Sequence, residues 1–223
     1  MRIYLQTTPN TDLLFFDYQQ KMLGVIHKWL GSNEIHDKIS LYSYSWLANG
    51  RMVEKRGFTF PKGATFFISF YEGAYLQKLI QAILADPDMF CGLKVTDVSV
   101  VEPPMFMEEP QYFRLASPIF IKRASPGGSD YKYYLFDNPE SSALMTETLK
   151  HKMEVAGLPP DDTLKVEFDL SYEGKRKKMI TIHGIKSIAS MCPVIIHGKP
   201  ESKAFAWIVG VGNSTGASFG ALF

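Results

Sequence analysis

The sequence has almost no cysteine. Cys91 and Cys192 are the only two among 223 residues, too few for a disulfide framework and without metal-ligand spacing. A reducing compartment is therefore expected. No apolar run reaches the ~18 residues that cross a bilayer. Residues 1–9 lack the apolar core and small-residue cleavage site of a signal peptide. These absences predict a cytoplasmic protein with no membrane partner. Net charge is also scarce, since 24 Lys/Arg stand against 23 Asp/Glu, so any attraction for a polyanion has to come from a local cluster. Acidic pairs suited to a metal are missing too. Asp86 and Asp88 flank a proline at a helix end, and Asp161-Asp162 reads as a turn or cap. No metal and no cofactor are expected.

What is present is a repeated order of elements. Residues 2–7 read as a strand. Residues 17–30 place Met22, Leu23, Ile26, Trp29 and Leu30 at helical spacing, and Gly31 stops that helix. Residues 39–47, 58–60 and 65–71 read as strands rich in aromatic residues. Residues 74–85 form a second helix and 93–101 another strand. The order β, α, β, β, α, β is the ferredoxin-like pattern. A proline-punctuated stretch from Pro103-Pro104 to Pro110 follows and reads as a linker.

The second half reads similarly. Strands are expected at 112–123, 164–172, 178–185, 193–197 and 204–209, with a helix at 141–156 and a kink or bulge near 187–189. The fold class is α+β, two tandem ferredoxin-like βαββαβ domains, residues 1–104 and 111–223.

Two features could hold phosphate. The basic cluster Lys175, Arg176, Lys177, Lys178 and Lys186 suits a polyanion, although most charge runs are solvated turns. The tail carries Gly210, Gly212, Gly216 and Gly220 in quick succession. Glycine there implies a close approach to the main chain, a positive φ, or free N–H groups for an anion; a flexible terminus would look the same.

Several segments together resemble the CRISPR-associated RAMP endoribonucleases that cut repeat RNA. They are the first strand with the Leu23-Gly24-Val25-Ile26-His27 helix, Ile35-His36-Asp37, Leu41-Tyr42-Ser43-Tyr44-Ser45, Leu115-Ala116-Ser117-Pro118, and Gly210-Val211-Gly212 with Phe219-Gly220. Ser218 departs from the family's glycine before Phe219-Gly220. The resemblance implies a metal-independent endoribonuclease that uses the RNA's own 2′-OH and leaves a 2′,3′-cyclic phosphate and a 5′-OH. Histidine suits both proton transfers because its ordinary pKa lies near ~6.5. His36 is the first candidate, and His27 the second, with packing beside Trp29 as its plain alternative. Lys38 would supply positive charge at the phosphate. The implied partner is CRISPR repeat RNA, with other effector subunits as further partners, no DNA required, and a monomeric or homodimeric state. The alternative is a non-catalytic RAMP subunit that binds RNA within an effector complex. A third reading is a ferredoxin-like domain that takes a small ligand and no RNA.

Overall fold

Side chains alternate in direction along a strand, and this sets the first layer. In β1 (Arg2–Thr7), Ile3 and Leu5 point into a core while Arg2 and Tyr4 point to the opposite face. The computed structural model describes residues 1–31, 39–125, 130–182 and 184–223. After β1 come β2 (Leu14–Phe15), α1 (Gln19–Leu30), β3 (Tyr42–Tyr44), β4 (Arg51–Val53), β5 (Gly57–Thr59), β6 (Thr65–Phe70), α2 (Gly73–Ala85) and β7 (Val95–Val101). The main sheet has the order β3-β6-β1-β7, antiparallel throughout. Short strands β2, β5 and β4 form a separate small sheet. Met22, Val25, Ile26, Trp29 and Leu30 of α1 and Leu76, Leu79 and Ile83 of α2 bury their apolar stripes on one face of the main sheet.

The second half runs β8 (Gln111–Phe113), β9 (Lys122–Ala124), β10 (Tyr131–Tyr133), α3 (Ser141–Val155), β11 (Lys165–Phe168), β12 (Arg176–Ile182), β13 (Ile185–Met191), β14 (Val194–His197) and α4 (Pro200–Val209). Its sheet has the order β11-β14-β8. Leu222 bridges Leu115 beside β8 and adds a last, very short strand. The resulting order is again ferredoxin-like. β12 and β13 leave this sheet as a long hairpin paired from Arg176↔Met191 to Ile182↔Ile185. Among the described residues no helix is long and apolar enough to cross a membrane.

Three sequence expectations change. Residues 204–209 belong to helix α4 and not to a strand. Pro200 sits in its first turn, and Phe205 through Val209 are all buried. A helical stretch buried on every side shows no polar stripe, so this apolar run mimics a core strand. The expected strand 112–123 is split into β8 and β9, and its middle is held by the Leu115↔Leu222 and Ile119↔Ser190 bridges. Residues 187–189 run regularly through β13, paired with 178–180, and no bulge forms.

The two halves meet on Arg2, which is completely buried. Its Nε donates to Ser69 Oγ at 2.8 Å, and one Nη donates to Trp207 O at 2.6 Å and Leu222 O at 2.8 Å. The guanidinium lies between the rings of Phe67 and Trp207, 3.6 and 3.5 Å from their centroids. Burial lowers its pKa to about 10, and the bond to Tyr4 works the other way; the group stays charged at neutral pH. Phe67, Ala116 and Ala221 pack around this contact, and Ser43 Oγ adds a buried 2.7 Å bond to Ile208 O.

Replacing Arg2 by Met keeps much of the apolar contact but leaves two buried carbonyls without their donor. Arg2→Met is expected to cost about 3 kcal/mol. A denaturant midpoint equal to that of the wild type would rule this out.

Candidate active site and nucleic-acid interface

Helix α1 carries His27 near its C-terminus. Met22, Ile26 and Trp29 are buried, whereas His27 is half-buried. Gly31, at φ 62°, ends the helix and its N–H donates to His27 O at 2.9 Å. His36 and Lys38 lie outside the described residues, as does His183, so the structure does not place them.

It does place the return of that segment. Ser40 O accepts from Thr215 Oγ1 at 3.5 Å, and Thr215 Oγ1 accepts from Lys152 Nζ at 2.8 Å. Lys152 also donates to Val209 O at 3.2 Å. A hydrogen-bonded chain thus runs from α3 through the glycine-rich segment to Ser40. Tyr42 OH reaches the same segment, donating to Gly216 O at 3.2 Å, and Trp46 Nε1 donates to Ser218 O at 3.0 Å. Helix α1 contacts both the 3-10 turn Thr215–Ala217 and strand β12. The His27 helix, Ser40 and Tyr42, the glycine segment and the basic hairpin are therefore neighbours.

The glycines allow close approach of packed segments. Gly210, Gly212, Gly216 and Gly220 are all buried. Gly210 N donates to Ala206 O and Gly220 N to Pro118 O, both at 2.8 Å, so these two N–H groups are already used internally. A Cβ at Gly216 would come within 2.6 Å of Ser40 Oγ and the Tyr42 hydroxyl. The tail is not a flexible terminus. It is a packed segment joining the two halves.

Strand alternation divides the basic cluster. Lys177 points one way and pairs with Asp137 at 2.7 Å, holding that carboxyl below its usual range. Lys178 points the other way, its Nζ 5.9 Å from the Trp46 ring centroid. Arg176 shares the Lys178 face and lines a cavity with Tyr112 and Phe223. Lys175 is half-buried, and Lys186, opposite Thr181, is exposed. The cluster is two faces of a hairpin rather than one patch. His151 pairs with Glu154 at 3.4 Å and His197 with Glu167 at 3.0 Å. Among the described residues no three His, Cys, Asp or Glu side chains gather as a metal site.

Lys152 was not expected here. It follows His151 in a charged stretch that reads as solvent-facing, yet it is buried. The available signal was its helical spacing, four residues after Thr148 and three after Leu149, both on the buried stripe of α3. Burial lowers its pKa to about 7. The unfolded chain, with a lysine near ~10.4, then holds more protons above pH 7, so stability rises as pH rises through that window. Between pH 7 and 9 the wild type is expected to gain about 2 kcal/mol relative to Lys152→Met. Parallel stability curves for the two proteins would contradict this. Gly216→Ala, by contrast, is expected to push Tyr42 and Ser40 away from the loop, lowering any RNA-directed activity more than global stability. Paired denaturation and activity assays would show whether the two losses separate.

Residues 101–222 match the family model described as CRISPR associated protein Cas6, C-terminal. No curated protein matches the chain. In fold it is similar to a Cas6-related protein from Pyrococcus furiosus, with TM-score 0.85, 16% identity, and 100% of this chain and 97% of that one covered. It is also similar to a RAMP protein described as binding different RNA substrates, with TM-score 0.85, 17% identity, and coverage of 100% and 98%. A third similar structure is Thermus thermophilus Cse3 bound to an RNA representing a pre-cleavage complex, with TM-score 0.53, 12% identity, and coverage of 100% and 98%. At these identities the likeness establishes the double ferredoxin-like fold.

Proposed function

We infer that this chain, which belongs to the CRISPR-associated Cas6 family, is a cytoplasmic endoribonuclease that binds CRISPR repeat RNA and cuts it into guide units. The observation that carries this reading is the meeting of α1, Ser40 and Tyr42, the glycine segment and the basic hairpin. The division of labour follows the two ferredoxin-like units, residues 1–104 with the candidate loop and residues 111–223 with the hairpin and glycine segment.

The chemistry is transesterification within the RNA. One imidazole takes the proton from the 2′-OH, whose oxygen attacks the adjacent phosphorus. A second proton donor protonates the departing 5′-oxygen. The products are a 2′,3′-cyclic phosphate and a 5′-OH. His36 is assigned as the principal acid–base group, with His27 on α1 as the second and Lys38 as the cation facing the phosphorane charge. The glycine segment acts as the platform that locates Ser40. Arg176, Lys178 and Lys186, exposed on the hairpin, make phosphate contacts with Lys175 beside them. Such contacts confer salt-sensitive affinity and little sequence preference. Lys177 joins them only by giving up Asp137.

One observation favours the binding-only alternative. The four glycines are buried, and the N–H groups of Gly210 and Gly220 are already bonded within the protein, which leaves fewer backbone donors for an anion. Cleavage assays separate the two readings. Wild-type protein with repeat RNA in excess EDTA should yield cyclic-phosphate ends. His36→Ala should lower the rate at least ~100-fold, in line with general acid–base contributions, with affinity retained. RNA carrying a 2′-deoxy sugar upstream of the cut should bind uncut. Tight binding with no cleavage under any condition would establish the binding-only subunit, and metal-dependent cutting of the deoxy RNA would refute the mechanism.

A further inference from the structure

Beside the hairpin lies a small pocket of about 210 Å³ in which only Lys178 has been given a role so far. Phe16, Tyr18, Trp46, Phe58 and Phe60 line it, with Lys178 at its edge. The small sheet of β2, β5 and β4 supplies Phe58. The rings brace one another: Phe16 meets Phe58 edge-on at 5.1 Å, and Tyr18 meets both Trp46 and Phe58 at 6.5 Å. Trp46 is fixed by its Nε1 bond to Ser218 O, and Tyr18 OH accepts from Leu47 N at 3.2 Å. The walls are therefore set before any ligand arrives. Phe16 is exposed at the mouth.

The chemistry of the walls selects the occupant. No lining residue is a carboxylate, and Asp17, between Phe16 and Tyr18 in sequence, is exposed and not part of the lining. Among the described residues Lys178 has no carboxylate within ion-pair distance; its recorded contact is the Trp46 ring. An aromatic cage for a cation would be opposed by that ammonium. A planar, neutral ring attached to an anion fits both parts, the ring on Trp46 and the anion on Lys178. The volume lies below the ~300–1,000 Å³ of sites for drug-sized ligands, which suits one ring system and not a dinucleotide. Alternation along β12 puts Arg176 on the Lys178 face, so a strand leaving the pocket meets a second cation.

We propose that this pocket binds one unstacked nucleobase of the RNA, with Lys178 on the adjoining phosphate. The assignment rests on the RNA-binding reading above and adds a base-recognition site to it. Base–aromatic stacking is the usual source of such binding in single-stranded segments.

The test uses the full chain and fluorescein-labelled repeat RNA, together with a series in which each nucleotide in turn is replaced by an abasic unit. In the wild type one abasic position should weaken binding on the order of tenfold, the size expected for losing one stacked base. Trp46→Leu should bind the intact RNA as weakly as the wild type binds that abasic RNA, and should show no further penalty there. Because Trp46 also holds Ser218, Phe16→Ser at the exposed mouth is the second variant, and it should reduce the penalty at the same position. Lys178→Ala should weaken the whole series alike and lower the salt slope by about one. A wild-type series with no position that both aromatic variants affect would overturn the nucleobase assignment and leave the pocket to an apolar protein side chain. Failure of the wild type to bind intact repeat RNA would overturn the functional reading as well. Binding with unchanged penalties in the variants would remove the pocket alone.

Discussion

A single guanidinium holds the two halves of this protein in register. Arg2 sits on the second residue of β1, where alternation turns it away from its own core and toward α4. Among the described residues it has no carboxylate partner. Its charge is balanced by two carbonyl dipoles, a serine oxygen and the faces of two aromatic rings. Burying a cation without a counter-ion is costly unless its donors are satisfied and its planar faces covered. Arginine tolerates this better than lysine, because its charge is delocalised and its flat faces stack. The carbonyls come from α4 and from the last residues of the chain, so the contact cannot form unless both are docked on β1. The position of the glycine segment follows from that docking.

The glycine segment turns this docking into a positioned site. Its residues cross between β3 and the second core, where a side chain at Gly216 would strike Tyr42. Gly210, Gly212 and Gly220 have φ of 71°, 79° and 65°, which L side chains avoid. Their role is conformational. The polar chemistry is supplied by neighbours, Lys152 and Thr215 from the second half and Ser40 and Tyr42 from the first. Lys203 plays a similar part at the connection between halves. Buried in α4, it donates to the carbonyls of Met107, Glu108 and Glu109 at 2.7, 2.9 and 2.6 Å, and so ties down the proline-rich stretch. In a protein with few cysteines, buried basic side chains aimed at backbone carbonyls do the work of cross-links.

The first half was largely legible from its pattern. Residues 74–85 show a clear helical stripe because only one face of α2 is buried, and β1 and β6 stand out as aromatic and β-branched runs. The second half was less so, for two physical reasons. Residues 205–209 of α4 are all buried, and periodicity disappears when no face is wet. The chain from 114 to 121 makes isolated bridges rather than a ladder, so its apolar residues suggest a strand that the hydrogen bonding does not complete. The site divides in the same way. The basic hairpin and the glycines carried compositional signals, whereas Arg2, Lys152 and Trp46 carried almost none. A lone charged residue at an apolar helical position such as 152 is a weak cue for a single sequence, because its partners at 209 and 215 lie far along the chain. What those glycines do could not be read from composition, since close packing and anion binding both call for the missing Cβ.

Near-neutral net charge and an RNA substrate are compatible in this architecture because the cations are placed locally. Alternation on β12 pairs Lys177 with Asp137 and leaves Lys178 facing Trp46. Two adjacent lysines thus have different electrostatic states without any change in composition. The screening length at physiological salt is only ~8 Å, so a phosphate on the hairpin responds to Arg176 and Lys178 and hardly at all to carboxylates on the far side of the molecule. Affinity then depends on a few contacts and falls with salt in proportion to them. Discrimination has to come from shape and from bases drawn out of the stack. In the proposed binding mode, the rigid aromatic pocket beside Lys178 is where those two requirements meet.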